Sequence, residues 1–315
     1  MTSLPAPNQC PPLRGGPRPL DAVSDSTPDQ PERFWSATWR RLMRNRLAML
    51  GLALLATVAL LCLLGPAFTK YGYEQINLDL GPSPPSTAHW LGTDQLGRDL
   101  FTRLLSGGRI SLLVGLCGAA VSLIVGLTYG ATSGYLAGRV DTVMMRIVDT
   151  IYALPFSVLV IVLMVVFERN IILIFVAIGL VEWLTMARIV RAQVLSLREQ
   201  SFIKAAKVLG YSPARIIARH VLPNVIGPVV VYTTLTVPQI ILLESFLSFL
   251  GLGVRPPMSS WGSLLHDGAG PMQSYPWMLI APAVCLSLTL FALNVVGDGL
   301  RDALDPRFTP RTTRS

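Results

Sequence analysis

LAMLGLALLATVALLCLLGPAF, residues Leu47 to Phe68, contains no charged side chain. A bilayer's hydrocarbon core is about 30 Å thick and needs roughly 20 apolar residues at 1.5 Å rise each. The stretch meets that requirement and has Arg40, Arg41, Arg44 and Arg46 directly before it. Basic residues next to a span hold that end on the cytoplasmic side. The stretch therefore reads as a membrane-spanning helix that leaves the cytoplasm, not as the core helix of a soluble domain.

Five further runs of the same kind follow: Ser111–Leu136, Thr150–Phe167, Ile171–Ala187, Val225–Leu243 and Trp277–Val296. They account for the composition, which is 51% hydrophobic and 14% charged with a mean hydropathy of +0.53. Soluble domains carry about 25% charged residues. Prolines 155, 228, 238 and 282 fall inside or at the start of these runs. Bundles tolerate them because neighbouring helices and waters satisfy the freed backbone groups. With the N-terminus inside, twenty of the 26 Lys and Arg lie in inside segments and six in outside segments. The expectation is an all-α membrane protein with six transmembrane helices and both termini cytoplasmic.

The ends and loops divide the chain. Residues 1–32 hold eight prolines between Pro5 and Pro31 and read as a disordered cytoplasmic tail, not a signal peptide. Residues 33–106 hold the first helix and an external loop, 107–302 the rest of the transmembrane bundle, and 303–315 a second cytoplasmic tail. Trp261 in the second external segment reads as an interfacial anchor.

The net charge of +8 does not indicate a nucleic-acid binder, because the basic residues flank apolar runs. Cys62, Cys117 and Cys285 lie within apolar runs and read as small apolar residues. His89, His220 and His266 are scattered, so no metal site is expected. No nucleophile–base pair is recognisable, which disfavours a membrane-bound enzyme. No Gly-Lys-Ser or Gly-Lys-Thr occurs, so no P-loop phosphate cradle is expected.

Between the fourth and fifth runs, residues 198–223 read REQSFIKAAKVLGYSPARIIARHVLP. Gly210 fits the left-handed residue past a helix end, Ser212 an N-cap and Pro213 a first helical position. Two short amphipathic helices result, with Pro223 as the next barrier. On the first, Phe202, Ala205, Ala206 and Leu209 share one side, and Lys204 and Lys207 turn away. On the second, Ile216, Ile217, His220 and Val221 group together. Two readings stay open: a hairpin lying on anionic lipid, or a docking element for a cytoplasmic partner.

The hairpin resembles the coupling loop of the integral-membrane subunits of bacterial binding-protein-dependent ABC importers. Ala205, Ala206, Gly210, Leu222 and Pro223 match that pattern, and Lys204 stands where the family has Glu. Four other motifs resemble the C-type permease subunits of dipeptide, oligopeptide and nickel importers. They are Arg41–Leu52, HWLGTDQLGRD at 89–99, SFLSFLGLG at 245–253 with Trp261-Gly262, and GDGLRDALDPR at 297–307.

The resemblance implies a type I ABC importer (MetI-like) permease fold. It also implies a five-part assembly: this chain, a second permease subunit, two cytoplasmic ATPases that hold ATP and Mg, and an extracytoplasmic binding protein. This chain itself is expected to bind no cofactor. Phe202, Lys204, Ala205, Ala206, Leu209, Gly210, Ser212, Pro213, Leu222 and Pro223 become the ATPase-coupling set. Dipeptides or oligopeptides are the expected cargo, with nickel or metal chelates and glutathione as alternatives. A self-sufficient secondary transporter would want ionisable residues inside the membrane, and the six runs offer only Glu182. That acid reads as a gate or pathway residue, or else as a carboxylate near the inner end paired with Arg188. Asp94, Arg98 and Asp99 read as external contacts for the binding protein or sister subunit. The other reading is local ion-pair structure, with Thr93 and Asp94 capping the next helix. Asp298, Arg301, Asp302 and Asp305 carry the same two readings.

Overall fold

The structure, a computed structural model, describes residues 31–155, 158, 162, 166 and 171–304. The two tails, apart from a few residues beside the bundle, and most of the third expected span lie outside the described residues. The chain divides into two units, Met1–Ala37 and Thr38–Ser315. Residues 31–37 of the first are helical and open α1 (Pro31–Arg44), so helix begins two residues inside the expected tail. The remaining helices belong to the second unit. They are α2 (Arg46–Phe68), α3 (Leu100–Leu136), α4 (Gly138–Tyr152), α5 (Ile171–Arg198), α6 (Ser201–Val208), α7 (Pro213–Ile216), α8 (Leu222–Leu247), α9 (Trp261–Ala269) and α10 (Trp277–Leu304).

Among the described residues, four helical runs are long and apolar enough to cross a membrane: Arg46–Phe68, Leu100–Leu136, Pro213–Leu252 and Trp277–Leu304. They contain the first, second, fifth and sixth expected spans. The fourth lies within α5, a continuous helix of 28 residues. Leu60, Leu63, Leu116, Ile124 and Phe291 are exposed on the outside of the bundle, as expected where lipid is the solvent.

Lipid tails are as apolar as leucine, so close packing holds such helices together. The α3–α5 contact shows how the sequence provides for it. Ser122, Gly126, Gly130 and Gly134 recur every four residues, which places them on one stripe of α3. A Cβ on Gly126 would lie 2.5 Å from the Met186 side chain, and one on Gly134 would lie 2.9 Å from the Arg191 carbonyl. The helices therefore approach to backbone contact. The Ser122 hydroxyl completes the stripe by donating to the Glu182 carbonyl at 2.9 Å.

Pro66 lies in the last turns of α2 and has no N–H to give the carbonyl of Cys62, four residues back. Arg109 of α3 supplies donors instead. Its Nε reaches the Cys62 carbonyl at 2.7 Å and its Nη2 the Leu63 carbonyl at 2.5 Å. A cation in the first third of the chain's second apolar helix thus closes a gap that proline opens in the first.

At one end of the bundle the loop before α3 folds on two carboxylates. Asp99, not Thr93 or Asp94, is the N-cap of α3 and accepts from the Thr102 backbone N–H at 2.8 Å. The cap also starts α3 at Leu100, eleven residues before the expected span. Trp261 is fully buried at the start of α9, donating its indole N–H to the Leu104 carbonyl at 3.1 Å. It is a core residue and not an interfacial anchor. The 2-sided packing of α9 between α3 and α10 is what buries it.

Glu244 lies one residue past the fifth expected run, Val225–Leu243, and α8 continues through it to Leu247. Its carboxylate is buried and accepts from Ser248 at 2.6 Å and from Ser111 of α3 at 3.1 Å. Glu182 is therefore not the sole acid on a long apolar helix.

Candidate functional site

The 198–223 segment joins two long helices. Helix α5 runs without interruption to Arg198, and α6 follows after a two-residue break. Gly210 ends α6 at φ 77°, a left-handed conformation that glycine adopts without steric cost. Its N–H donates to the Lys207 carbonyl at 3.0 Å, and the Tyr211 N–H donates to Ala206 at 3.2 Å. This pair of bonds is a complete Schellman motif, which satisfies two carbonyls at the helix end. Ser212 then takes the N-cap position in extended conformation, without a side-chain cap bond, and Pro213 stands at the first helical position.

Beyond Pro213 the expectation of a second isolated helix fails. α7 passes through one π-helical stretch, Ile217–Val221, directly into α8. The proline ring at 223 clashes with a carbonyl four residues back in an α register. The wider π turn changes that register just before it, and the Asn224 side chain donates to the His220 carbonyl at 2.6 Å. Leu222 is half-buried and Pro223 exposed at this junction. The hairpin is thus one short helix, α6, held between the long helix α5 and the run that continues into α8.

The buried side of α6 is Ile203 and Ala206. They pack with Tyr135, Met186, Val190, Val194, Ile216 and Val221 in one cluster at this end of the bundle. Ala206 therefore faces its own bundle, which corrects its expected place on the free face with Ala205. An eight-residue helix that is apolar on both sides leaves the direction of burial undecided by spacing alone. The free face consists of Phe202, Ala205, Val208 and Leu209, with Val208 88% and Leu209 72% exposed. Val208 was not among the expected residues, although its position three beyond Ala205 marks it. Lys204 is exposed and pairs with Glu199 at 3.2 Å. Lys207 lies over the Tyr135 ring of α3 at 5.1 Å.

The same end is braced by a half-buried ion pair. Arg191 of α5 holds Asp141 of α4 with Nε and Nη2 at 2.5 and 2.6 Å, and Ser133 of α3 donates to that carboxylate at 2.5 Å. The hydrogen bonds from Arg191 hold the Asp141 carboxyl below its usual range, against the opposing effect of burial. Three helices are thus fixed relative to one another behind α6.

Residues 122–310 match the family described as binding-protein-dependent transport system inner membrane component, and residues 33–85 match the N-terminal TM domain of oligopeptide transport permease C. The chain belongs to this family. It is 50% identical over 290 residues to the oligopeptide transport system permease protein OppC of Escherichia coli K12, covering 91% of this chain and 96% of that protein. It is 45% identical over 270 residues to the dipeptide transport system permease protein DppC of Bacillus subtilis, covering 85% and 84%. The OppC protein of the same Bacillus is 44% identical over 274 residues, covering 87% and 90%. As a transport-system inner membrane component, the chain is a multi-pass protein of the inner membrane.

The other expected sites of this inner membrane component lie apart from the hairpin. Glu182 is half-buried on α5. Its expected partner Arg188 instead donates to Asp149 at 2.8 Å. Asp94, Arg98 and Asp99 gather in the loop before α3. Asp94 accepts from Arg98 Nε at 2.7 Å and Arg103 Nη1 at 2.5 Å, and Arg103 continues to Asp267 at 3.2 Å. Asp94 and Asp99 are buried within these bonds, and Arg98 is half-buried. Asp298, Arg301 and Asp302 are exposed at the end of α10, and Asp305 lies outside the described residues.

Proposed function

We propose that this chain is one of two transmembrane subunits of an ATP-driven peptide importer, and that α6 is its contact with the ATPases. The observation that carries this reading is the exposed apolar face Phe202, Ala205, Val208 and Leu209 on a helix clamped between α5 and α8. A short amphipathic helix on a rigid support suits docking into a groove. A push on α6 is delivered to two spanning helices at once, because neither junction has a flexible linker. The names of the relatives, oligopeptide and dipeptide permeases, support peptides as cargo.

In this reading the chain has six spans with both termini in the cytoplasm. Residues 1–32 and 303–315 are tails, 33–106 the first helix and outer loop, and 107–302 the permease bundle with its coupling segment 198–223. The partners are a second permease subunit, two cytoplasmic ATPases carrying ATP and Mg, an extracytoplasmic binding protein and membrane lipid. Phe202, Lys204, Ala205, Leu209 and Gly210 meet the ATPase directly. Ala206, Ser212, Pro213, Leu222 and Pro223 shape and orient that surface. Glu182, within electrostatic reach of Tyr232, is a gate or pathway residue. Asp94, Arg98 and Asp99 shape the outer surface that meets the binding protein or sister subunit.

The test is Ala205→Trp, a bulky residue on an exposed position. Tripeptide uptake by proteoliposomes holding the full complex is measured together with ATPase copurification. Both are expected to fall while the chain still reaches the membrane. Uptake at the unmodified rate would remove the coupling role from α6.

A further inference from the structure

A groove of about 650 Å³ opens at the outer end of α2, between that helix, the loop after it and the start of α3. This lies within the range of about 300–1,000 Å³ typical of small-molecule sites. Its walls are apolar: Leu60, Leu64 and Phe68 from α2, Phe101 and Leu105 from α3, and Trp90 from the loop. Leu60, Leu64 and Phe68 are exposed, so the groove is continuous with the lipid-facing side of the bundle.

The mouth differs from the walls. The apolar run of α2 stops at Phe68, and Lys70 stands just beyond, at the level where hydrocarbon gives way to headgroups. Lys70 makes no ion pair among the described residues. The one acid lining the groove, Asp99, is buried and committed to His89 at 2.8 Å and to Thr102. The uncommitted charge at the mouth is therefore positive. Trp90, 68% exposed, and Tyr71 stand beside it, the residue types that favour a membrane interface.

We propose that this groove binds an anionic phospholipid, with one acyl chain against α2 and α3 and the phosphate on Lys70. The charge at the mouth matches a phosphate and not an apolar partner helix. The leaflet concerned follows from the orientation proposed above, but the site does not depend on it.

The experiment uses the assembled complex in phosphatidylcholine nanodiscs. These are doped either with phosphatidylglycerol carrying a diazirine on one acyl chain or with phosphatidylcholine carrying the same group. After illumination, labelled residues are mapped by mass spectrometry. Labelling at 60–68 and 101–105 is expected to favour the anionic probe. Lys70→Gln, at an exposed position, is expected to cut that preference about fivefold, the effect of one basic residue at a membrane surface. Leu64→Trp is expected to reduce labelling by both probes by filling the groove. Equal labelling by both probes, unchanged by Lys70→Gln, would overturn the proposal by reducing the groove to ordinary lipid contact. Protection from both probes, with Leu64→Cys forming a cross-link to the sister permease, would overturn it by giving the groove to a protein helix.

Discussion

Arg109 and Pro66 form one device although they lie on different helices and 43 positions apart. The proline leaves a carbonyl without a donor, and the arginine supplies donors to that carbonyl and the next. Arg109→Met is expected to lower the thermal stability of the purified complex by about 1–2 kcal/mol, the scale of polar contacts inside membrane bundles. Pro66→Ala restores the helix's own donor, so the double variant is expected to recover most of the loss. A double variant as unstable as Arg109→Met alone would break the pairing. Asp141 gives a pH signature. Its carboxyl is held below the usual range in the folded chain, so its contribution is present above the unfolded value and disappears as pH falls through the folded one. Asp141→Asn is expected to flatten the acid limb of stability against pH, measured by thermal melts, while lowering stability at neutral pH. A limb of unchanged slope would contradict the role given to Arg191.

The α3–α5 contact is where element geometry depends most on small residues. Val190 and the Ala187 carbonyl stand where a side chain at Gly130 would go. Gly130→Val is expected to cost about 1–3 kcal/mol by forcing the helices apart, with a matching loss of the folded complex in detergent. Such element-level features were partly legible. Four of the apolar runs fall in helices long and apolar enough to cross a bilayer, because a bilayer imposes a length, and Gly210, Ser212 and Pro213 marked the hairpin turn because each has its own backbone preference. The continuity of α7 with α8 was hidden, since Pro223 reads as a stop until a π turn changes the register before it. The burial of Ile203 and Ala206 was hidden as well, because α6 has apolar residues on both faces. Trp261 looked interfacial because an external loop is assumed to be exposed. In fact that loop folds back between α3 and α10 and becomes core. Glu244 escaped notice because its serine partners come from α3 and from beyond its own helix end, a contact no local pattern records.

At the scale of the whole molecule, the two ends of the bundle do different work. One end is closed by Asp94, Asp99, Arg103 and the buried Trp261, an inward-facing network that fixes the loop before α3. The other end turns an apolar helix outward and braces it from behind with Asp141, Arg191 and Ser133. A bundle closed at one end and presenting an exposed apolar face at the other suits the proposed role of a subunit moved by cytoplasmic ATPases. The most direct measurement places a single cysteine at Val208 in an otherwise cysteine-free chain and treats the assembled complex with a short thiol–thiol cross-linker. The account predicts a product containing an ATPase subunit, and no labelling of intact cells by a membrane-impermeant thiol reagent. Labelling from outside, or a product containing the extracytoplasmic binding protein, would contradict it.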